Sequence, residues 1–468
     1  MSGGAQAWFE RAQIGLRNVH IRAYVRVGTF LRALGLIYFI AFTSFGVQAP
    51  GLIGSRGILP LRDYLNAVRT AVGGAAYWNV PSVLWLNAGD DALAAVWIMG
   101  AACALALVFG ICQRPFLAVC LALWLSLCAV GQDFLSFQWD ILLSEAGFLA
   151  LFADDSPARV WLYRWLLFRL MFFSGAVKLL SGDPSWRNLT ALHYQYWTQP
   201  LPTPLAWYME QLPMSFQKVS TALVFVAELG APFLFFGPRR VRHVGAWITI
   251  GLQTLILATG NYAFFNILTI LLAGFLFIEP QRRPEGVRHR AVSAGLAGFI
   301  GVVSGLLFLG LFGAPLPPGG AAILHAVEPL RIVNSYGLFA VMTTTRPEIV
   351  VEGSNDGVNW RAYEFKDKPG DVMRPPPVVE PHQPRLDWQM WFAALGNYQQ
   401  SPWFVNFMIR LLQEEPSVLR LLARNPFPKA PPKYVRARTY LYQFTHSGER
   451  AWWTREERGM YFPPVSLK

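Results

Sequence analysis

Six ionisable side chains lie inside apolar runs that are long enough to cross a bilayer, and they are the first candidates for chemistry. They are Asp140, Glu145, Arg164, Arg169, Lys178 and Glu228. A charged residue near the middle of a span costs about 2.5–3.5 kcal/mol on insertion scales, so residues of this kind are functional candidates. A lysine held among apolar groups can serve as a general base, and a carboxylate beside it can hold or pass on a proton.

The spacing of these charges predicts that some of them meet. The face of the helix that carries Lys178 also carries Arg164, Phe168, Met171 and Gly175. If the span before it runs inward, Asp140 and Lys178 both lie about one turn below the outer surface, with Glu145 deeper. We therefore predict an intramembrane charge cluster of Asp140, Glu145 and Lys178. Ion pairs that simply hold the bundle together are a second account of the same residues, and both accounts stay open.

The elements that position these residues are predicted to be transmembrane helices. Of the 468 residues, 54% are hydrophobic and 15% are charged, which is too apolar for an ordinary soluble protein of this size. A spanning helix needs about 20 apolar residues, and nine runs approach that length: 29–48, 92–113, 115–132, 138–153, 160–181, 216–236, 242–259, 261–279 and 291–313. The predicted fold is an α-helical polytopic membrane bundle of about nine helices with a C-terminal exterior α+β domain; seven or eight spans also fit.

Arginine-rich connections indicate the orientation of the bundle. The arginines are Arg11, Arg17, Arg22 and Arg26 before the first span, then Arg114, Arg159, Arg239, Arg240, Arg242, Arg282, Arg283, Arg288 and Arg290 in every second connection. Positive loops stay on the cytoplasmic side. The net charge of +12 partly reflects this distribution, so no nucleic-acid partner is expected.

This orientation defines the predicted domains. We expect 1–28 to be a cytoplasmic segment and 29–313 to form the transmembrane bundle, with exterior loops at 49–91 and 182–214. Residues 314–468 are expected to form the exterior domain. The first span is too long to be a cleaved signal peptide and should remain as an anchor. The chain is therefore predicted to be an integral membrane protein.

The C-terminal region alternates strand and helix signals. Asp356-Gly357, between a strand at 348–353 and a second at 359–365, is a strong hairpin signal. Helices are predicted at about 386–396, 401–414 and 416–424, and a last strand at about 433–446. This region of about 150 residues is large enough to bury a core of its own.

Signatures of hydrolytic, redox and metal chemistry are absent from the sequence. There is no G-x-S-x-G elbow, no HExxH, no CxxC, and no set of His or Cys residues at metal-ligand spacing. The four cysteines, at 103–128, fall in the second and third predicted spans, where apolar packing is expected. We therefore expect no metal ion, no cofactor and no catalytic residue, and the sequence favours a protein that is not an enzyme.

Three motifs rich in proline and tryptophan stand out: PHQPRLDWQMWFAAL at 381–395, GDPSWR at 182–187 and TQPLPTPL at 198–205. Together they resemble the lipase maturation factor family, membrane proteins of the eukaryotic secretory pathway that have bacterial relatives. The resemblance implies a membrane-bound folding factor, or chaperone, for secreted lipases that does not itself hydrolyse lipid. Its partners would be a secreted lipase or other exported protein as client, and membrane lipids. Its location would be the endoplasmic reticulum membrane in a eukaryote or the inner membrane in a bacterium.

The first of these motifs supplies the candidate client-binding or packing residues. They are His382, Arg385, Asp387, Trp388, Trp391 and Phe392. Arg385 and Asp387 stand near a predicted helix start, where they could form a cap and an ion pair. In the functional interpretation, the aromatic side chains expose a surface that holds a client, because such side chains dominate binding hot spots.

A shorter segment, FFSGAVKL at 172–179 followed by Trp186, resembles the vitamin K-dependent carboxylase and its membrane relatives. This second resemblance implies that Lys178 acts as a base on a lipid-soluble quinol or lipid, with Glu145 or Glu228 assisting. A carboxylate beside Lys178 would oppose that role because it stabilises the charged lysine. An intramembrane enzyme of this type is the alternative to the maturation factor. A transporter is a third hypothesis, although inverted repeats are not evident.

Overall fold

A computed structural model describes residues 27–281 and 286–467 of the chain. Most of the predicted cytoplasmic segment at 1–28 lies outside the described residues. The same holds for six of the arginines that indicate orientation: Arg11, Arg17, Arg22, Arg26, Arg282 and Arg283. The division of the chain at 28 and 313 and the side of the membrane on which each part lies therefore stay predictions.

Helices form most of the structure. Those of seven or more residues are α1 Val27–Gly46, α2 Leu61–Val72, α3 Asp90–Val108, α4 Gln113–Val130, α5 Gln138–Ala150, α6 Pro157–Leu180, α7 Ala191–Thr198, α8 Pro204–Glu210, α9 Met214–Phe225, α10 Arg239–Thr259, α11 Phe265–Ala273, α12 Val287–Leu311, α13 Gly320–Val327, α14 Arg385–Ala394 and α15 Pro402–Leu412. One-turn helices lie at Ala49–Leu52, Ala76–Asn79, Pro184–Arg187, Ala231–Leu234 and Pro416–Leu419.

All nine apolar runs form helix, but three of them are short or interrupted. Within the described residues, six helices are long and apolar enough to span a membrane, namely α1, α3, α4, α6, α10 and α12. The run at 138–153 gives the 13-residue α5, and the run at 261–279 gives the 9-residue α11 followed by a 3₁₀ turn. The run at 216–236 is interrupted by a π turn at Val226–Gly230. Two of these three segments, α5 and the π turn, carry the buried carboxylates Asp140, Glu145 and Glu228.

The C-terminal region contains the β structure. Strands β1 Arg346–Ser354, β2 Arg361–Ala362, β5 Tyr434–Phe444 and β6 Trp453–Val465 form an antiparallel sheet in the order β2-β1-β5-β6, and β3 Glu364–Phe365 pairs with β4 Leu422–Arg424. In the predicted hairpin, Glu352 lies opposite Ala362. Its turn is held by Asp356, whose Oδ1 accepts hydrogen bonds from the backbone N–H groups of Val358 and Asn359.

Three details of this region differ from the sequence-based prediction. The strand expected at 359–365 is divided, because β2 pairs with β1 whereas β3 pairs with β4. Tyr363, which lies between them, donates its N–H to Val351. The helix expected at 416–424 ends at Leu419, and its last residues form β4. Strand β6 was not predicted, because its charged run at 455–458 and the prolines at 463 and 464 hide the alternation typical of a strand.

The main hydrophobic core extends through both the bundle and the C-terminal region. It includes Trp124 in α4, Trp388 in α14 and Phe462 in β6. The C-terminal region contacts the ends of bundle elements near residues 44–48, 134–140, 197–200 and 261–262. The topology prediction places all of these ends on one side of the membrane. The helices of the C-terminal region thus rest on the bundle and do not form a separate core.

Candidate functional site

The predicted charge cluster of Asp140, Glu145 and Lys178 does not form. Lys178 Nζ lies 2.7 and 2.9 Å from the two carboxylate oxygens of Glu228, and it donates a third hydrogen bond of 3.1 Å to the carbonyl of Ser174. The prediction that Lys178 pairs with Asp140 or Glu145 is therefore wrong. Its partner, Glu228, comes from the π turn. This turn packs closely against α6 at Gly175, because a Cβ added to Gly175 would lie only 2.8 Å from Leu229 Cδ2.

Asp140 instead binds the first residue of α14. The two guanidinium nitrogens Nη1 and Nη2 of Arg385 each lie 2.9 Å from one oxygen of Asp140, and both side chains are at most 1% exposed. Nη1 also donates to the carbonyl of Phe134. The sequence predicts an ion pair of Arg385 with Asp387, but Arg385 instead joins the C-terminal region to the bundle.

Glu145 is the centre of a third, separate group. Its Oε1 pairs with Arg169, and its Oε2 accepts hydrogen bonds of 2.7 Å from the Tyr336 hydroxyl and 3.0 Å from both the backbone and side-chain N–H of Asn334. Arg169 in turn donates to the carbonyl of Asn334 at 2.8 Å. The three acidic residues thus hold three different partners, as expected when each buried charge must be compensated locally.

These pairs leave little support for the alternative in which Lys178 is a base. A general base must be able to accept a proton, whereas the Lys178 ammonium already donates hydrogen bonds to Glu228 and to Ser174. The Lys178–Glu228 pair lines a cavity beneath the 182–214 loop together with Trp186, whose ring centre lies 5.3 Å from Nζ. In the part of the chain that the structure describes, no group of three His, Cys, Asp or Glu residues could hold a metal ion.

The PHQPR turn is attached to the end of α1. The His382 imidazole Nδ1 lies 2.9 Å from Ser44 Oγ, and that hydroxyl oxygen also accepts the backbone N–H of Gln383. Gln48 donates to the carbonyl of Gln383 and accepts the backbone N–H of Arg385. Burial lowers the pKa of His382 to about 4. These contacts make His382 a packing residue at neutral pH.

Asp387 stabilises a neighbouring loop. Its Oδ1 accepts the backbone N–H groups of Asp367 and Lys368 at 2.8 and 2.9 Å, and it forms no side-chain cap of α14. Burial raises the pKa of this carboxyl, while the two backbone N–H groups act against the rise. The expected cap and ion pair with Arg385 are therefore both replaced by contacts that are distant in sequence.

The aromatic residues of α14 differ sharply in exposure. Trp388 packs edge to face on Trp139 at 4.9 Å, and the Trp391 indole N–H donates to the carbonyl of Thr198 at 2.8 Å. Trp388 thus contacts the bundle, and Trp391 contacts the 182–214 loop. The predicted exposed aromatic surface is wrong for both tryptophans, which are 3% and 6% exposed, and holds for Phe392 alone, which is 46% exposed.

Sequence reasoning missed a second attachment of the 182–214 loop. Arg346 at the start of β1 donates to the carbonyls of Trp197, Gln199 and Pro200. Its guanidinium pairs with Glu348 at 2.8 Å, and Glu348 also pairs with Lys368 at 2.9 Å. Opposite charges at positions i and i+2 of a strand share one face, and this spacing was the available signal.

Comparisons with known proteins match both the bundle and the C-terminal region. A model described as the lipase maturation factor transmembrane domain matches residues 25–282, and one described as the lipase maturation factor C-terminal domain matches 332–463. The chain is 36% identical to lipase maturation factor 2 of Homo sapiens, covering 94% of this chain and 82% of that protein. It is 34% identical to lipase maturation factor 1 of Bos taurus, covering 95% and 91%.

No solved structure gives a significant match to the chain. The two family models together include helices α1 to α11, both residues of the Asp140–Arg385 pair and most of the sheet, whereas α12 lies between the two matched ranges. Nothing in the comparisons favours the carboxylase alternative. On these matches, the chain belongs to the lipase maturation factor family.

Proposed function

We propose that this integral membrane protein assists the maturation of a secreted lipase or another exported enzyme, acting at the membrane from which the client emerges. The observation that carries the proposal is the match to lipase maturation factors across both the transmembrane and the C-terminal domains. In a eukaryotic cell the expected location is the endoplasmic reticulum membrane, and in a bacterium it is the inner membrane.

The arrangement of the C-terminal region suits a fixed docking platform. Buried polar contacts attach it to the bundle at the Arg385–Asp140 pair, and to the 182–214 loop where Arg346 donates to backbone carbonyls. A rigid surface loses less conformational entropy when it binds a partner than a mobile one does. The platform therefore favours recognition of a client over a chemical step.

We place the client contact at the exposed end of α14. Phe392 is 46% exposed and Leu395, three residues later, is 43% exposed, so the two side chains share one face. Behind them, Trp388 and Trp391 are buried and hold the helix in place. His382, Arg385 and Asp387 act in this proposal as packing residues. An apolar pair on a rigid helix can bind an apolar segment of an incompletely folded enzyme.

The direct test is co-expression of a secreted lipase with this chain in cells that lack their own maturation factors. The proposal predicts a rise in specific lipase activity in the medium, and co-purification of the lipase with this chain. The control is the Phe392→Ala/Leu395→Ala variant, which should accumulate normally. An unchanged specific activity for a panel of secreted lipases would contradict the proposal.

A further inference from the structure

A cavity of about 700 Å³, counting the open space at its mouth, lies between α6, the π turn and α10, beneath the 182–214 loop. Most of its lining is apolar, for example Met171, Val224 and Phe265. Binding sites for small molecules and lipids commonly combine such a lining with a few polar groups. The polar groups in this cavity therefore determine what it can accept.

The charged pair Lys178–Glu228 on the cavity wall is already compensated within the protein, so it needs no charged ligand. Lys178 uses hydrogen bonds to both oxygens of Glu228 and to the carbonyl of Ser174. The Tyr262 hydroxyl is also satisfied, because it donates to Gln199 Oε1 and accepts from Gln195 Nε2 at 2.8 Å in each case. A ligand that carries a net charge would find no unpaired opposite charge at this wall.

Two acceptor atoms on the lining have no partner among the described residues. They are the side-chain oxygens Oε1 of Gln253 and of Gln195. Gln253 is only 3% exposed. Its amide nitrogen Nε2 donates a weak hydrogen bond of 3.7 Å to Met171 Sδ. A buried acceptor without a donor is unfavourable. A molecule that donates a hydrogen bond to one of these oxygens and is otherwise apolar would therefore suit the cavity.

The mouth of the cavity faces the region that a bilayer would occupy. Val224 on α9 and Leu252 and Ile256 on α10 are half-buried on the lining. Their neighbours Leu223, Val226 and Leu255 point outward and are 60%, 53% and 61% exposed. On membrane-spanning helices such apolar side chains face lipid. The π turn between α9 and Ala231–Leu234 interrupts this wall, and π turns of this kind are frequent at functional sites.

We propose that this cavity binds a neutral membrane lipid that has a free hydroxyl in its head, such as a diacylglycerol. The hydroxyl donates its one hydrogen bond to Oε1 of Gln253, and an acyl chain lies along Met171 and Ile256. This inference goes beyond client maturation, and its test reads lipid occupancy without any client.

The test uses the full chain reconstituted in phosphatidylcholine liposomes with a diacylglycerol that carries a diazirine on one acyl chain. After illumination, labelled peptides are mapped by mass spectrometry. The same probe with its hydroxyl acetylated is the matched control. We expect labels on Met171, Val224 or Ile256, and labelling about 3- to 10-fold stronger with the free hydroxyl, the ratio expected for one hydrogen bond.

Two variants separate the cavity from the outer surface. Ile256→Trp fills the mouth and should reduce labelling of the lining several-fold, whereas Leu255→Trp, at the outward-facing neighbour, should leave it unchanged. Gln253→Leu should remove the preference for the probe with the free hydroxyl. If Ile256→Trp fails to accumulate, the Gln253→Leu result alone tests the proposal. Labels confined to outward-facing residues such as Leu223 would overturn the proposal, as would equal labelling by the two probes in the wild-type chain.

Discussion

Arg385 and Asp140 are 245 residues apart in the chain, yet they form an ion pair with two hydrogen bonds of 2.9 Å that is almost completely buried. Asp140 lies in the first turn of α5, and Arg385 is the first residue of α14. The pair therefore connects a helix of the bundle directly to the helix that carries the proposed client contact. It explains why the PHQPRLDW motif contains an arginine at this position.

Breaking the Arg385–Asp140 pair should destabilise the protein strongly. Arg385→Met leaves an unpaired buried carboxylate, and losses of this kind are about 3–5 kcal/mol. The double variant Arg385→Met/Asp140→Leu should recover much of the loss, because it removes both charges. Thermal unfolding in detergent, followed by tryptophan fluorescence, measures the effect. Arg458→Met is the control, since its pair with Glu456 is exposed and should contribute less than about 1 kcal/mol. A double variant as unstable as both single variants combined would refute the coupling.

The Lys178–Glu228 pair should behave in the same way within the bundle. Lys178→Met should lower stability by about 3–5 kcal/mol because Glu228 remains buried without a partner. Adding Glu228→Leu should restore part of the stability, whereas adding Glu145→Gln should not. Lys218→Met, at an exposed position of α9, is the neutral control. Rescue of Lys178→Met by Glu145→Gln would instead support the charge cluster that we report as absent.

Substitutions at the exposed end of α14 should weaken client binding without destabilising the fold. Phe392→Ala and Leu395→Ala are expected to weaken client binding by about 1–2 kcal/mol each, as hot-spot side chains do. Specific lipase activity in co-expressing cells is the readout, with the amount of the membrane protein measured in parallel. Val358→Ala and Met373→Ala change exposed apolar residues elsewhere in the C-terminal region and should have no effect. Equal losses from both pairs of variants would rule out a specific contact at α14.

Stability should fall as the pH rises from about 4.5 to about 8 because of Glu380. Burial raises the pKa of this carboxyl to about 8, against an ordinary value of about 4.5. Between these values the folded state retains a proton that the unfolded state has released, so a rise in pH favours unfolding. From pH 6.5 to pH 8, we expect a loss of roughly 1–2 kcal/mol.

The matched variant for this prediction is Glu380→Gln, which keeps an oxygen for the backbone N–H of Tyr262 but cannot ionise. It should be only slightly more stable than the wild type near pH 5 and clearly more stable at pH 8. The pKa of His382 is lowered from 6.5 to about 4 by burial. This residue therefore destabilises the fold only as the pH falls below about 6.5, outside the range from pH 6.5 to pH 8. Parallel curves for the two proteins between pH 6.5 and pH 8 would show that Glu380 does not titrate in this range.

The orientation of the bundle is testable by labelling cysteines introduced at single sites. Reagents that do not cross the membrane should reach Arg239→Cys from the cytoplasm and Val358→Cys from the opposite side, because the arginine-rich connections stay on the cytoplasmic side. Intact and permeabilised vesicles distinguish the two sides. Labelling of both positions from the same side would refute the nine-span topology.

The sequence by itself determined the local features of this protein. Apolar length is a property of consecutive residues, so all nine helical runs were recognisable, and the Asp356-Gly357 hairpin followed from turn chemistry. The motifs at 381–395, 182–187 and 198–205 were sufficient for the family resemblance. These signals need no knowledge of which elements are neighbours in space.

The tertiary structure alone decided which charge meets which. Lys178 was equally compatible with any carboxylate at its depth, but the π turn brings Glu228 to it. Asp140 and Glu145 are then compensated by Arg385 and Arg169. The burial of Trp388 and Trp391 likewise depends on α14 lying against α5 and the 182–214 loop. Ion pairing and burial depend on distances between residues far apart in the chain, and these distances arise only when the helices pack.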